Sequence, residues 1–329
     1  MDFLNKESPE PHGDQGWYSE DEKVIYIENA RLETTQEQTD RRELLAGGTQ
    51  WTDQNLGEIL IDLGKLTAEE VDQVLQYQLD KGLYFGEAAV ELKLVEQADI
   101  LQALSTQFGY TYDRSEDSLS KDMVMAYSPF GEQAEEFRAI RGQLLSNWLN
   151  RDQKTLAVVS PESKDGRSYV AANLALAFSQ LGRSTLLIDA DLRSPQQHNN
   201  FKLTRRIGLS MLLARRVSMG DLDYLPNQIS SFQHLSVLGS GAVPPNPAEL
   251  LGKSTFSLIL RELKKFFDVI IIDTPSAAYQ ADIISIASVA GSVLLVARGA
   301  HTRMDSAKHL MSSLAQAKAK VVGAVLNQY

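Results

Sequence analysis

The chain has 329 residues, 43% apolar and 23% charged, a balance that suits a protein with a buried core and excludes collagen-like or wholly disordered chains. It has no cysteine, which removes disulfides, thiolate nucleophiles and cysteine zinc sites. The net charge of −11 is unevenly spread: residues 1–50 sum to −7, 51–113 to −9 and 114–329 to +5, so the acidic N-terminal third repels nucleic acid and the remainder suits phosphate ligands.

The length points to two domains and a tail. No run of about 18 apolar residues occurs, and Met1-Asp2-Phe3-Leu4-Asn5 lacks the basic and apolar regions of a secretory signal, so a cytoplasmic location is expected. Residues 1–50, rich in Glu, Asp, Gln, Ser and Thr, read as a disordered acidic tail, with one strand-like stretch at Lys23–Ile27.

Residues 51–113 read as a small helical domain built by duplication. A period of 29 relates Gly57-Glu58 to Gly86-Glu87, Leu63 to Leu92, Val71 to Ile100, Leu75 to Leu104 and Gln78 to Gln107. Each unit is a short helix, a turn and a second helix. Ile59, Leu60 and Leu63 form one apolar face, and Thr67 with Glu70 forms a capping box ahead of Val71, Val74, Leu75 and Leu79 at helical spacing.

Residues 114–127 read as a linker. From 128 to 329 strands alternate with helices. The strand candidates are Thr155–Ser160, Ser184–Asp189, Leu235–Leu238, Val269–Asp273, Ser292–Ala297 and Lys320–Leu326. They are near-continuous apolar runs, as strands buried on both faces require, so the expected fold is α/β with a mostly parallel sheet and helices on both faces.

The first strand runs through Ser160-Pro161-Glu162-Ser163-Lys164-Asp165-Gly166-Arg167-Ser168-Tyr169 into a helix. Strand, glycine loop, basic residue, hydroxyl residue and helix is P-loop order: backbone N–H groups cradle phosphates and the hydroxyl serves Mg²⁺. Pro161 replaces the first glycine and Arg167 the lysine, so on its own this is equally an ordinary strand-to-helix turn. Asp189 and Asp191 close the second strand, on one side of it by the two-residue repeat, and Asp273-Thr274-Pro275 closes a later one. Open α/β sheets bind ligands at those ends, so three aspartates beside the loop read as a magnesium–nucleotide site. His198, His234, His301 and His309 lack metal-ligand spacing, and Arg205-Arg206 and Arg215-Arg216 lack the aromatic interleaving of a nucleic-acid surface.

Gly166–Ser168, Asp189–Arg193 and Asp273–Pro275, with Glu135-x-x-Arg138-x-x-Arg141 and Gly241-x-x-Pro244-Pro245-Asn246-Pro247-x-Glu249-Leu250-Leu251, resemble the bacterial protein-tyrosine kinases of exopolysaccharide synthesis over most of 128–329. The resemblance implies a P-loop fold and ATP with Mg²⁺ as cofactors. Nucleotide-binding residues would be Lys164, Asp165, Gly166, Arg167, Ser168 and Tyr169. Ser168, Asp189 and Asp273 would hold the metal, Asp273 through water. Asp189, Asp191 and Arg167 would be catalytic, with Asp191 accepting the proton of the substrate tyrosine. Glu135, Arg138 and Arg141 would join copies into a homo-oligomer. Expected partners are a membrane polysaccharide co-polymerase or chain-length determinant, which would recruit the chain to the inner membrane face, and a tyrosine-containing protein. Residues 51–113 resemble the N-terminal domain of type II secretion ATPases. The family arginine is missing from Asn55-Leu56-Gly57 and Tyr84-Phe85-Gly86, so docking of a protein is expected rather than cyclic di-GMP.

Two departures keep alternatives open. Arginine is longer and forked where lysine is a point charge. The family's tyrosine-rich tail is represented only by Tyr329. The readings are a tyrosine kinase regulating polysaccharide chain length, synthesis or export, a nucleotide-binding pseudokinase scaffold, and a partitioning-type ATPase switch.

Overall fold

The structure, a computed structural model, describes residues 55–107, 118–129, 131–150, 152–204, 207–218 and 226–328. The acidic tail with Lys23–Ile27, the first part of the expected linker, Arg205-Arg206 and Tyr329 lie outside them.

The helical domain comprises α1 (Leu56–Asp62), α2 (Ala68–Lys81), α3 (Phe85–Glu91) and α4 (Gln97–Gln107). Each start is capped through the third residue on. Asn55 Oδ1 accepts from Glu58 N at 2.9 Å, Glu70 Oε2 from Thr67 N at 2.7 Å, Glu87 Oε2 from Tyr84 N at 3.0 Å, and Asp99 Oδ2 from Glu96 N at 2.9 Å. The repeat has a packing cause. A Cβ on Gly57 would meet Val71 at 3.1 Å, and one on Gly86 would meet Ile100 at 2.9 Å, so each glycine lets the first helix of its unit lie against the second. Ile59, Leu60, Val74, Ala88, Ala89 and Ile100 are buried together. Leu75 and Leu79, expected on that face, are instead exposed.

The second part opens with α5 (Val124–Tyr127) and α6 (Glu132–Asn147). There follow β1 (Thr155–Val159), α7 (Arg167–Ser179), β2 (Thr185–Asp189), α8 (Gln197–Asn200), α9 (Leu209–Leu213), β3 (Asn227–Ile229) and β4 (Phe232–Leu238). Then come α10 (Pro247–Leu251), α11 (Ser254–Leu263), β5 (Val269–Asp273), α12 (Gln280–Ala290), β6 (Ser292–Arg298), α13 (Met304–Gln316) and β7 (Lys320–Asn327). The sheet order is β3-β4-β2-β5-β1-β6-β7, parallel except for the β3–β4 pair.

Alternate residues of the strands feed two cores. Leu156, Val158, Leu187, Val269, Ile271 and Leu294 pack against α5, α6 and α7. Ala157, Val159, Leu186, Ile188, Ile270 and Ile272 pack against the helices from α9 to α13. Burial on both faces is why these strands read as unbroken apolar runs. The loop at Pro244–Pro247 starts α10, with Pro247 in its first turn and Asn246 Nδ2 donating to Glu249 Oε2 at 2.7 Å.

Residues 118–127, expected as linker, differ. Leu119, Met123, Met125 and Ala126 are buried in the α7 core. Asn173 Oδ1 accepts from Met125 N at 3.1 Å, and Gln180 Nε2 donates to Met125 O at 2.7 Å. One polar residue of α7 and one at its C-cap hold a segment whose short apolar stretches carry no period.

Candidate active site

The turn from β1 into α7 is shaped by Gly166, the residue before the helix, at φ +92°. Lys164 is also left-handed, at φ +67°. Asp165, expected among the nucleotide-binding residues, turns its carboxylate inward. It is buried and accepts from Glu162 N at 2.8 Å and Thr302 Oγ1 at 2.7 Å. The carboxylate thus shapes the loop instead of facing an anion. Asn327 Nδ2 donates to Asp165 O at 3.0 Å, and Ser306 Oγ to Glu162 Oε1 at 2.9 Å, so the end of β7 and the first turn of α13 brace the turn. Tyr169 packs its ring edge-on to Phe137 at 5.7 Å. The two lie with Asn327 along a groove of about 290 Å³ between α6, α7 and β7.

Arg167, in the first turn of α7, is buried against the strand ends. Its Nη1 donates to Ser160 Oγ at 2.9 Å, its Nε to Asp273 Oδ1 at 3.3 Å, and its Nη2 to Asp191 Oδ2 at 3.4 Å. Asp189 and Asp273 are register partners at the ends of adjacent parallel strands. Burial, and then the charge of Asp273, push the Asp189 carboxyl well above the usual range. Burial also raises Asp273, against the opposing pull of Arg167. Asp189 Oδ1 accepts from Asp191 N at 3.2 Å, and its Oδ2 from Gln196 N and Gln197 N at 3.2 and 3.0 Å. Asp191 lies beyond the strand, where its Oδ1 accepts from Arg193 N and Ser194 N at 3.1 and 2.9 Å.

Arg193 forks onto buried Asp282, with Nε at 2.8 Å from Oδ2 and Nη2 at 3.3 Å from Oδ1. Its guanidinium also stands 4.2 Å from the centre of the Tyr279 ring. Gln197 enters the cluster unannounced: its Nε2 donates to Asp273 Oδ2 at 2.7 Å and to Ser168 O at 3.0 Å. No period marked Gln197, whereas Asn327 is, like Asp189 and Asp273, a polar residue closing an apolar strand and was legible on that ground.

Ser168, Asp189 and Asp273 lie together: Asp189 and Asp273 are register partners, and Gln197 and a Ser168 side-chain hydrogen bond tie Asp273 to the start of α7. These are hard oxygen donors of the kind Mg²⁺ takes. Among the described residues no group of three or more His, Asp or Glu converges to hold a metal unaided. Two carboxylates and one hydroxyl are fewer than the six oxygens Mg²⁺ takes, so a cation there would need the rest from water and phosphate.

The expected assembly residues make contacts within the chain. Arg138 pairs with Glu135 and donates to Pro129 O, and Arg141 Nη1 donates to Ala177 O at 2.7 Å. Of the three, Glu135 is the exposed one.

A mostly parallel sheet, whose first strand turns through a left-handed glycine into a helix while aspartates close β5 and β2, the next two strands on one side of it, defines a P-loop NTPase-like protein. Within that class the chain belongs to the bacterial tyrosine-protein kinases. It is 36% identical over 210 residues to tyrosine-protein kinase YwqD of Bacillus subtilis, covering 64% of this chain and 86% of that one. The putative tyrosine-protein kinase CapB of Staphylococcus aureus is 34% identical over 195 residues, 59% of this chain and 84% of that one. The kinase domain of the Escherichia coli tyrosine kinase ETK superposes with a TM-score of 0.59 at 28% identity, covering 65% of this chain and 84% of that one. No protein-family model matches the chain. No helix among the described residues is long and apolar enough to cross a membrane.

Proposed function

We propose that the chain is an ATP-dependent protein-tyrosine kinase that regulates exopolysaccharide chain length, synthesis or export. The observation that carries this reading is the pairing of Asp189 and Asp273 at the ends of adjacent parallel strands, beside the left-handed turn at Gly166 that leads into α7. The backbone from Lys164 to Tyr169 and the N-terminus of α7 hold the phosphates. Ser168, Asp189 and Asp273 would hold Mg²⁺, which when bound would neutralise phosphate charge. Arg167 exchanges its carboxylates for phosphate oxygens. That exchange frees Asp191 Oδ2 to accept the proton of the substrate tyrosine as its oxygen bonds to the γ-phosphorus and ADP departs.

The chain's own surfaces support two partner readings. The helical domain, acidic and exposing Leu75, Leu79 and Tyr84, is read as a protein-docking module. Self-association through Glu135, and activation by a membrane polysaccharide co-polymerase, rest on likeness to the family; the chimerical protein CapA2B2 superposes with a TM-score of 0.58 at 30% identity. A nucleotide-binding scaffold is the second reading, favoured by one observation: the Arg167 guanidinium is already paired with two carboxylates. Phosphotyrosine formation from ATP by the purified chain, with and without a co-polymerase segment, decides between them. Nucleotide binding without any phosphotyrosine selects the scaffold.

A further inference from the structure

Asp273 is held from two sides, by Arg167 Nε on Oδ1 and Gln197 Nε2 on Oδ2. Gln197 is fully buried and bonds to both carboxylates placed around the cation and to the main chain of Ser168. Its amide nitrogen donates to Asp273 Oδ2 and to Ser168 O, and its backbone N–H donates to Asp189 Oδ2. A side-chain amide has two donors and one acceptor oxygen fixed in a plane. Here both donors are used, and Oε1 accepts from Asn200 Nδ2 at 3.0 Å. Turning the amide over would bring Oε1 against two acceptors, Asp273 Oδ2 and Ser168 O, so the network admits one orientation. Asn200 is itself anchored, its carbonyl accepting from Ser120 N at 2.8 Å.

We propose that Gln197 is the positioning residue for the cation side of the site. It occupies Asp273 Oδ2 and fixes the carboxylate plane, so that Oδ1 is the oxygen turned to the site once Arg167 moves to a phosphate. The proposal rests on the nucleotide reading and extends it to a residue with no place in the sequence motifs. Partners that orient a metal-binding carboxylate typically change metal affinity by about 10–100-fold when lost. A side chain that only fills space would have no selective effect on the metal.

The test is calorimetric titration of the full chain with ADP, in chelator and across a Mg²⁺ series. Gln197→Met keeps the length and removes both donors; Asn200→Ala keeps Gln197 and removes the group that orients it. Gln197→Met is expected to raise the half-saturating Mg²⁺ concentration at least about tenfold. Asn200→Ala shifts it less, in the same direction, while Mg²⁺-free ADP binding in both variants stays within about twofold. An unchanged Mg²⁺ requirement, or equal weakening with and without Mg²⁺, overturns the positioning role and leaves the nucleotide reading intact. If Gln197→Met does not fold, Asn200→Ala decides by the same criterion. Failure of the unaltered chain to bind ADP overturns both.

Discussion

Arg167 Nε stands 3.3 Å from Asp273 Oδ1, and the same guanidinium reaches Asp191 Oδ2 at 3.4 Å. One forked cation therefore bridges two buried carboxylates and Ser160, a span that a lysine point charge does not cover. We expect Arg167→Lys to change kcat/KM by less than about tenfold, or about 1.4 kcal/mol, because the surrounding groups fit the fork. The nucleotide-free variant should melt at a lower temperature, since part of the carboxylate charge loses its partner. A hundredfold rise in turnover would instead mean that the arginine holds the site shut.

Asp191 and Asp273 share Arg167 but differ in every other contact. Asp273 accepts from Gln197 and Ser168, on the metal side, whereas Asp191 Oδ1 caps the turn at Arg193 and Ser194. Asp273→Ala should weaken Mg²⁺-dependent ADP binding by about 10–100-fold. Asp191→Ala should leave binding within about threefold and lower kcat by at least about a hundredfold, the scale of a lost general base. Equal loss of binding in both would refute the division of roles.

Much of this site was legible because Asp189 and Asp273 each close an apolar run, and a polar side chain there has only the sheet's ligand edge to occupy. The six longer strands were legible for the same reason. The three-residue β3 was missed: Asn227–Ile229 is short, polar and antiparallel at the sheet edge, without the apolar run that marked the others. Residues 118–127 read as linker because their anchors, Asn173 on α7 and Gln180 at its C-cap, sit about 50 residues away. Gln197 was illegible because its importance lies in four hydrogen bonds to groups distant in sequence or fixed by a turn. Leu75 and Leu79 fit the helical period yet stay exposed: period gives the face of a helix, and the partner's extent decides how much of that face is covered.

The Asp189–Asp273 pair makes binding pH-dependent. Burial raises both carboxyls, so at pH values between the unfolded aspartate's pKa, about 3.9, and the raised one the folded, nucleotide-free chain binds more protons than the unfolded chain. Stability from that extra protonation is present at acid pH and falls as pH rises through the raised pKa. A cation expels the proton, so Mg²⁺-dependent ADP affinity should increase with pH across the same window, by at most about tenfold per unit for one proton. Calorimetry in two buffers of different ionisation enthalpy should detect proton release, and Asp189→Asn should reduce it. Binding heats that are independent of buffer would rule this out.

Gly166 separates the cost of backbone conformation from the cost of crowding. Its φ of +92° is disfavoured for any residue with a Cβ, and that Cβ would collide with Asn327 Nδ2. Asn327 cannot retreat without giving up its bond to Asp165 O, which braces the turn. Gly182 provides the comparison, at φ +76° with nothing within 4 Å of its Cβ position. Each Gly→Ala change should cost about 1–2 kcal/mol of stability for the left-handed backbone alone. Gly182→Ala should stop there, with ADP binding unchanged. Gly166→Ala should also displace the loop and weaken ADP binding by at least about thirtyfold, or about 2 kcal/mol. Adding Asn327→Ala to Gly166→Ala removes the contact but not the strain, so binding should recover in part while the melting temperature does not. Equal ADP affinity in Gly166→Ala and Gly182→Ala would remove the turn at Gly166 from the phosphate site.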